Sequence, residues 1–359
     1  MINRIHGGNI WLYPENKRLV DFSANINPLG IPKSLKINII RNIDRLINYP
    51  EPESTGVKKL LAAYHNIKED NLIAGNGSIE LIYLIPRALN IKNALVITPA
   101  FSEYEFALKA NKSGIVFHKT KEKDNFKIDI QAVEKLLKNM DAVFLGNPNN
   151  PTGNFLEKDE LFELVKYCEI NNKLMVVDEA FIGFLFNGEE FSLIEKVNRT
   201  KNLIVIRSLT KLYAIPGLRI GYAAGHKDLI KMLRGIQYPW NVNLFAQAAV
   251  KDILEADKYI KDTRKNISTE KDFLFNNLRK AEGVKVFCPS VNFILCKLRN
   301  RKIKNADELK DKLISKGILI RSCGNFRGLN NEYFRVAIRK RRENIKLIKA
   351  LKDVLGEKS

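Results

Sequence analysis

The chain is poor in the residues that usually build metal or disulfide sites. It has four cysteines and four histidines among 359 residues. Cys168, Cys288, Cys296 and Cys323 are scattered without Cys-x-x-Cys spacing. That pattern excludes a zinc ribbon or a disulfide framework, and no metal is expected. Dispersed free thiols suit a reducing compartment, so a cytoplasmic location is expected. Long apolar runs are missing too. No stretch reaches the ~20 residues of a membrane-crossing helix, so no membrane partner is expected. The opening Met1-Ile2-Asn3-Arg4-Ile5-His6 does not read as a signal peptide. Acidic residues are in deficit: 40 Asp and Glu against 60 Lys and Arg leave a net charge of +20. Such a balance raises nucleic acid as a partner. The lysines, however, are spread among Asn, Glu and Ile. The densest cluster, Arg339-Lys340-Arg341-Arg342, comes with no nucleic-acid motif. The charge reads as a solvated surface that also steers anionic ligands, and no nucleic-acid partner is expected.

What the chain does have is 45% apolar and 28% charged residues, the composition of a globular protein. From residue 50 to 257, short apolar runs alternate with amphipathic stretches. Strands are expected at 94–98, 114–118, 142–145, 174–177, 203–206 and 220–224. Helices are expected at 79–88, 102–112, 130–138, 158–171 and 245–256. Such alternation predicts an α/β domain with a mainly parallel sheet covered on both faces. The rhythm then changes. A long charged helix at 259–281 precedes strands at 284–287, 293–297, 318–321 and 333–337, with helices at 306–316 and 343–355. This predicts a smaller α+β domain, onto which the core-poor first forty-odd residues are expected to pack. The expected division is 45–257 for the large domain, and 1–44 with 258–359 for the small one.

Four segments carry chemistry. Gly75-Asn76-Gly77-Ser78 joins an apolar run to a helix. Glycines let backbone N–H groups approach an anion, and a helix N-terminus favours negative charge. Asn147-Pro148-Asn149-Asn150-Pro151-Thr152-Gly153 follows the 142–145 strand, at the carboxyl edge where open α/β sheets bind ligands. Asp178-Glu179-Ala180-Phe181 closes the 174–177 strand with a carboxylate. Ser208-Leu209-Thr210-Lys211-Leu212-Tyr213-Ala214-Ile215-Pro216-Gly217-Leu218-Arg219 sets a hydroxyl, a lysine and an arginine among small and apolar residues. Desolvation there favours a neutral, nucleophilic amine. Serine and arginine suit a phosphate.

In this order the four segments resemble the aspartate-aminotransferase-like superfamily of fold-type I pyridoxal-phosphate (PLP) enzymes, over most of the chain. The resemblance implies the PLP-dependent transferase fold and PLP as cofactor. It makes Lys211 the Schiff-base lysine and Asp178 the partner of the pyridine nitrogen. Gly77, Ser78, Ser208 and Arg219 hold the phosphate, Phe101 stacks on the ring, and Asn150 bonds its 3-oxygen. Phe181 departs from the pattern, which often has a tyrosine there. Tyr49, in Tyr49-Pro50-Glu51-Pro52, resembles the tyrosine that reaches a neighbouring subunit's phosphate, implying a homodimer with shared sites.

Three further segments narrow the resemblance. They are His6-Gly7-Gly8-Asn9, Asp21-Phe22-Ser23-Ala24-Asn25-Ile26-Asn27-Pro28-Leu29-Gly30, and Ile320-Arg321-Ser322-Cys323-Gly324-Asn325-Phe326-Arg327-Gly328-Leu329 with Tyr333-Phe334-Arg335. They are similar to the threonine-phosphate decarboxylases of cobalamin synthesis. These are relatives of the histidinol-phosphate aminotransferases, which share the cofactor residues. The resemblance implies a small phosphorylated amino acid as substrate, held by His6, Gly7, Asn25, Asn150, Arg321 and Arg335. It implies decarboxylation, with a 2-oxoglutarate-dependent aminotransferase as the alternative.

Overall fold

A computed structural model describes residues 5–13, 19–300 and 302–356. In chain order its strands are β1 (Val20–Asp21), β2 (Leu72–Asn76), β3 (Asn93–Thr98), β4 (Gly114–Lys119), β5 (Ala142–Gly146), β6 (Leu174–Asp178), β7 (Leu203–Ser208), β8 (Ile220–Gly225), β9 (Val284–Val286), β10 (Phe293–Leu298), β11 (Ile318–Leu319), β12 (Arg321–Ser322) and β13 (Tyr333–Ala337). The helices are α1 (Lys33–Arg41), α2 (Thr55–His65), α3 (Ser78–Ala88), α4 (Glu103–Ala110), α5 (Ile130–Leu137), α6 (Lys158–Ile170), α7 (Lys227–Arg234), α8 (Leu244–Leu254), α9 (Asp257–Leu278), α10 (Ala306–Ser315) and α11 (Arg341–Leu355).

Seven strands form one sheet in the order β2-β8-β7-β6-β5-β3-β4. Strand β8 runs antiparallel to both its neighbours, and the other pairs are parallel. The central strands are apolar along their length because helices cover both faces. Leu203, Ile204, Val205 and Ile206 of β7 are all fully buried. Two apolar cores result, one on each face of the sheet. Strands β2, β3, β5, β6 and β7 share one direction. Their carboxyl ends therefore deliver Gly77, Pro99, Asn147, Asp178 and Ser208 to the same edge.

The smaller sheet is antiparallel, in the order β12-β13-β10-β9, and packs on a third core with α9, α10 and α11. The single strand expected at 318–321 is divided. Ile318 and Leu319 pair with Val20 and Asp21 of β1, whereas Arg321 and Ser322 pair with β13. Residues 318–322 are all buried whichever way they face, so the apolar pattern carries no mark of the switch at Ile320. The N-terminal segment also divides. Phe22 joins the core under the smaller sheet, but Leu35 of α1 joins the large core, where α1 packs on α8. Residue 45 is thus not where one core ends and the other begins. In the Arg339–Arg342 run, Arg339 pairs with Glu343, and Arg341 pairs with Glu270 and lies over the Phe273 ring. Among the described residues no helix is long and apolar enough to cross a membrane.

Candidate active site

A cavity of about 700 Å³ lies between the carboxyl edge of the large sheet and the smaller sheet. Lys211, Asp178, Gly77, Ser78, Phe101, Asn150, Ser208, Arg219, His6, Gly7, Asn25, Arg321 and Arg335 all line it. Segments more than 300 residues apart in sequence thus meet at one wall, because β1 and β13 carry both chain ends to the site.

Lys211 stands in the turn after β7. Its Nζ donates to Thr210 Oγ1 at 3.0 Å, and that hydroxyl lies 2.9 Å from Ser208 Oγ. Burial, reinforced by the Arg219 guanidinium, draws the lysine pKa down to about 8, with Asp178 opposing. At neutral pH a working fraction of the amine is therefore neutral and nucleophilic.

Asp178 ends β6 fully enclosed. Its Oδ2 accepts from the Tyr104 hydroxyl at 2.8 Å, and its Oδ1 accepts from the Ala180 N–H at 2.9 Å. Burial pushes its pKa up, and the two hydrogen bonds pull it back. Tyr104 stays a donor, since burial and the adjacent carboxylate hold its own pKa well above the usual value.

Gly77 caps α3 with φ of +73°. A Cβ there would collide with the Arg219 guanidinium, so the glycine is what lets Arg219 close over the helix N-terminus. Together with Ser78 and Ser208 this makes an anion cup of N–H groups, hydroxyls and one guanidinium. The Asn147–Gly153 loop is tied down internally. Asn147 Oδ1 accepts from the Leu156 N–H at 2.7 Å, and Asn149 Nδ2 donates to the Pro99 carbonyl at 2.8 Å. Asn150 is left facing the cavity, where its Oδ1 accepts from Arg335.

Arg321 and Arg335 are opposite one another on β12 and β13, and both are about 95% buried. Arg335 donates to the Ser23 carbonyl at 2.9 Å and lies 5.2 Å over the Phe293 ring. Arg321 donates to the Ile5 carbonyl at 2.8 Å and to Asn325 Oδ1 at 2.6 Å. Among the described residues neither has a carboxylate ion pair, and Arg335 Nε has no partner. Burial lowers both, Arg335 to about 10. Two enclosed guanidinium groups without carboxylates favour an anionic guest.

The N-terminal segment crosses the mouth of the cavity. His6 Nε2 is 2.8 Å from Glu103 Oε1, and its ring is 5.8 Å from that of Phe101. Gly7 runs so close to the Ser23 carbonyl that no side chain fits, and the Gly8 N–H donates to Ser23 Oγ at 2.8 Å. Asn25 is buried with its side-chain oxygen unpartnered among the described residues.

One expected residue stays outside. Tyr49 is 84% exposed and packs on Trp240. Its loop is pinned to the outer surface by the Trp240 N–H to Pro52 O and Gln247 to Glu51 O hydrogen bonds, so it does not reach its own chain's cavity. Cavity residues to which the sequence reading gave no role include Tyr104, Thr210 and Glu103. Thr210 was legible as a second hydroxyl beside the lysine. Tyr104 and Glu103 look like ordinary helix residues until the fold brings them to Asp178 and His6.

Residues 17–351 match the family model described as aminotransferase class I and II. The chain belongs to that family. It is a PLP-dependent enzyme, as aminotransferase class I and II enzymes are. The chain is 39% identical to a putative threonine-phosphate decarboxylase of Caldanaerobacter subterraneus subsp. tengcongensis, over 98% of this chain and 94% of the relative. It is 34% identical to the threonine-phosphate decarboxylase of Salmonella typhimurium, over 99% and 98%. Among solved structures, the histidinol-phosphate aminotransferase of Clostridium acetobutylicum matches with a TM-score of 0.87 and 35% identity, over 94% of this chain and 99% of that one. The donors present fit PLP: a lysine with a lowered pKa, an enclosed carboxylate, an anion cup and an aromatic face.

Proposed function

We propose that the protein decarboxylates L-threonine O-3-phosphate to (R)-1-amino-2-propanol O-2-phosphate, for cobalamin synthesis. The observation that carries this reading is the pair Arg321 and Arg335, two enclosed cations that have no carboxylate partner among the described residues and share the cavity with Lys211. They match a substrate with two anionic groups, carboxylate and phosphate. The two relatives named threonine-phosphate decarboxylases support the same substrate.

In this reading Gly77, Ser78, Ser208 and Arg219 hold the cofactor phosphate. Asp178 keeps the ring nitrogen protonated, Phe101 covers the ring, Asn150 bonds the 3-oxygen, and Lys211 carries the cofactor. When bound there, PLP supplies the electron sink for the bond broken at the substrate's α-carbon. Arg321 and Arg335, with Asn150, His6, Gly7 and Asn25, fix the substrate's two anions. That grip decides which α-carbon bond is aligned for cleavage, so binding geometry selects loss of CO2 over loss of the α-proton. Lys211 delivers a proton to the α-carbon once CO2 has left. We further infer a cytoplasmic homodimer. Tyr49, exposed beside Ile47 and Trp240, would reach the second copy's phosphate cup.

The second reading is a histidinol-phosphate aminotransferase, favoured by the likeness to the Clostridium acetobutylicum structure. Measuring kcat/KM for both reactions on PLP-loaded protein separates them. The proposal expects threonine phosphate to be preferred by at least about 10²-fold, or about 2.7 kcal/mol. Preference for histidinol phosphate with 2-oxoglutarate would overturn it.

A further inference from the structure

The residues next to Asp178 and Ser208 in the chain, one just past β6 and one on β7, carry charges on the opposite side. Glu179 follows Asp178 and Arg207 precedes Ser208. Side chains alternate along a strand, so Glu179 and Arg207 point away from the cavity that their neighbours line. Both are buried, and Arg207 Nε lies 2.8 Å from Glu179 Oε2 across the gap between β6 and β7. Both partners are tied further, although the Arg207 Nε–Glu179 approach is an ion pair without hydrogen-bond geometry and Glu189 is half exposed. Glu179 accepts from Ser192 Oγ and from the Leu193 N–H, each at 2.8 Å. Arg207 donates to Ser192 Oγ at 2.7 Å and, through both terminal nitrogens, to Glu189 at 3.3 and 3.0 Å. Behind Arg207, its cross-strand partner Tyr222 lies 2.6 Å from His65 Nε2.

A buried ion pair gains little stability over apolar side chains of the same size, because desolvation offsets the attraction. What it adds is fixed geometry, since a planar guanidinium shared by two carboxylates and a hydroxyl has one arrangement. The charges that shift Lys211 are those of Arg219, Asp178 and Arg335, so Arg207 acts on the site through position.

We propose that Arg207, Glu179 and Ser192 form a brace that sets the spacing between Asp178 and Ser208, and so matches the site to the distance between the ring nitrogen and the phosphate of PLP. This rests on the PLP contacts assigned above. The residues are positioning residues; none touches the cavity.

The test compares affinities for PLP and for pyridoxal, which lacks the phosphate. A loosened brace spoils simultaneous engagement of ring and phosphate, so it weakens PLP more than pyridoxal. General loosening weakens both alike. The variants are Arg207→Lys, the apolar double change Arg207→Met with Glu179→Leu, and Ser192→Ala. The expected result is a folded protein whose preference for PLP over pyridoxal falls about tenfold for Arg207→Lys and less for Ser192→Ala, with the pH midpoint of the bound-PLP absorbance band displaced. If the double variant does not fold, the two single variants decide. An unchanged preference and an unchanged band midpoint would overturn the brace. Wild-type protein with no preference for PLP would overturn the contact assignment, and the brace with it.

Discussion

Replacing Lys211 by Met in the cofactor-free protein should abolish a pH dependence of stability that the wild type carries. The folded chain holds this amine at about 8 against its ordinary 10.5. Between those values the unfolded chain binds the additional proton, so stability rises as pH rises through that window. The whole gap, at 1.36 kcal/mol per pH unit, is about 3.4 kcal/mol. Linkage between pH 7 and pH 10 recovers about 2.5 kcal/mol of it, and solvent in the open cavity reduces the expected effect to about 2 kcal/mol. The assay is urea unfolding of apo wild type and Lys211→Met at both pH values, read as midpoints at unchanged slope. Lys58, whose pKa burial also lowers, is common to both proteins and cancels. The wild type should gain about 2 kcal/mol more than the variant on going to pH 10. Equal gains, within about 0.5 kcal/mol, would show that Lys211 is not held near 8 and would remove the basis for its reactivity.

Arg335→Ala should raise KM for the phosphorylated substrate by about 10- to 100-fold, the loss of a charge-assisted contact of about 1.5–3 kcal/mol, while PLP affinity is kept; unchanged steady-state kinetics would displace Arg335 from the site. Tyr104→Phe removes a hydrogen bond that lowers the Asp178 pKa, so the acid limb of the kcat/KM profile should move to higher pH; an unmoved limb would separate Tyr104 from the chemistry. Asp178→Asn should lower kcat by on the order of 10²-fold or more with PLP still bound, and near-normal turnover would exclude its role at the ring nitrogen. Tyr49→Phe should weaken PLP binding in a protein that light scattering shows to be dimeric; a monomer with full PLP affinity would contradict the shared site.

Much of the site was legible because its chemistry sits in short, ordered segments. Gly77-Ser78, Asn150, Asp178 and Ser208 to Arg219 each follow a strand, and parallel strands carry them to one edge. Six of the seven β-strands of the large sheet were legible for the same reason, as apolar runs, whereas β2 was read only as an apolar run before the glycine loop. Helices α1 and α2 were less visible. Only Leu35 of α1 is buried, so its apolar stripe is weak, and α1 also carries exposed Ile37 and Ile40. The division between β11 and β12 was hidden because burial on both faces erases alternation. Tertiary partners were beyond any local pattern. Nothing near Tyr104 in sequence marks it as the donor to Asp178, and the pairing of Glu179 with Arg207 spans two strands. Tyr49 shows the opposite limit, a motif residue whose expected partner belongs to another copy of the chain.

The most direct measurement is release of labelled CO2 from carboxyl-labelled L-threonine O-3-phosphate by the PLP-loaded protein, without any keto acid. The account predicts sustained release, one CO2 per aminopropanol phosphate formed, unaffected by added 2-oxoglutarate. No CO2, with glutamate accumulating from histidinol phosphate and 2-oxoglutarate, would contradict it.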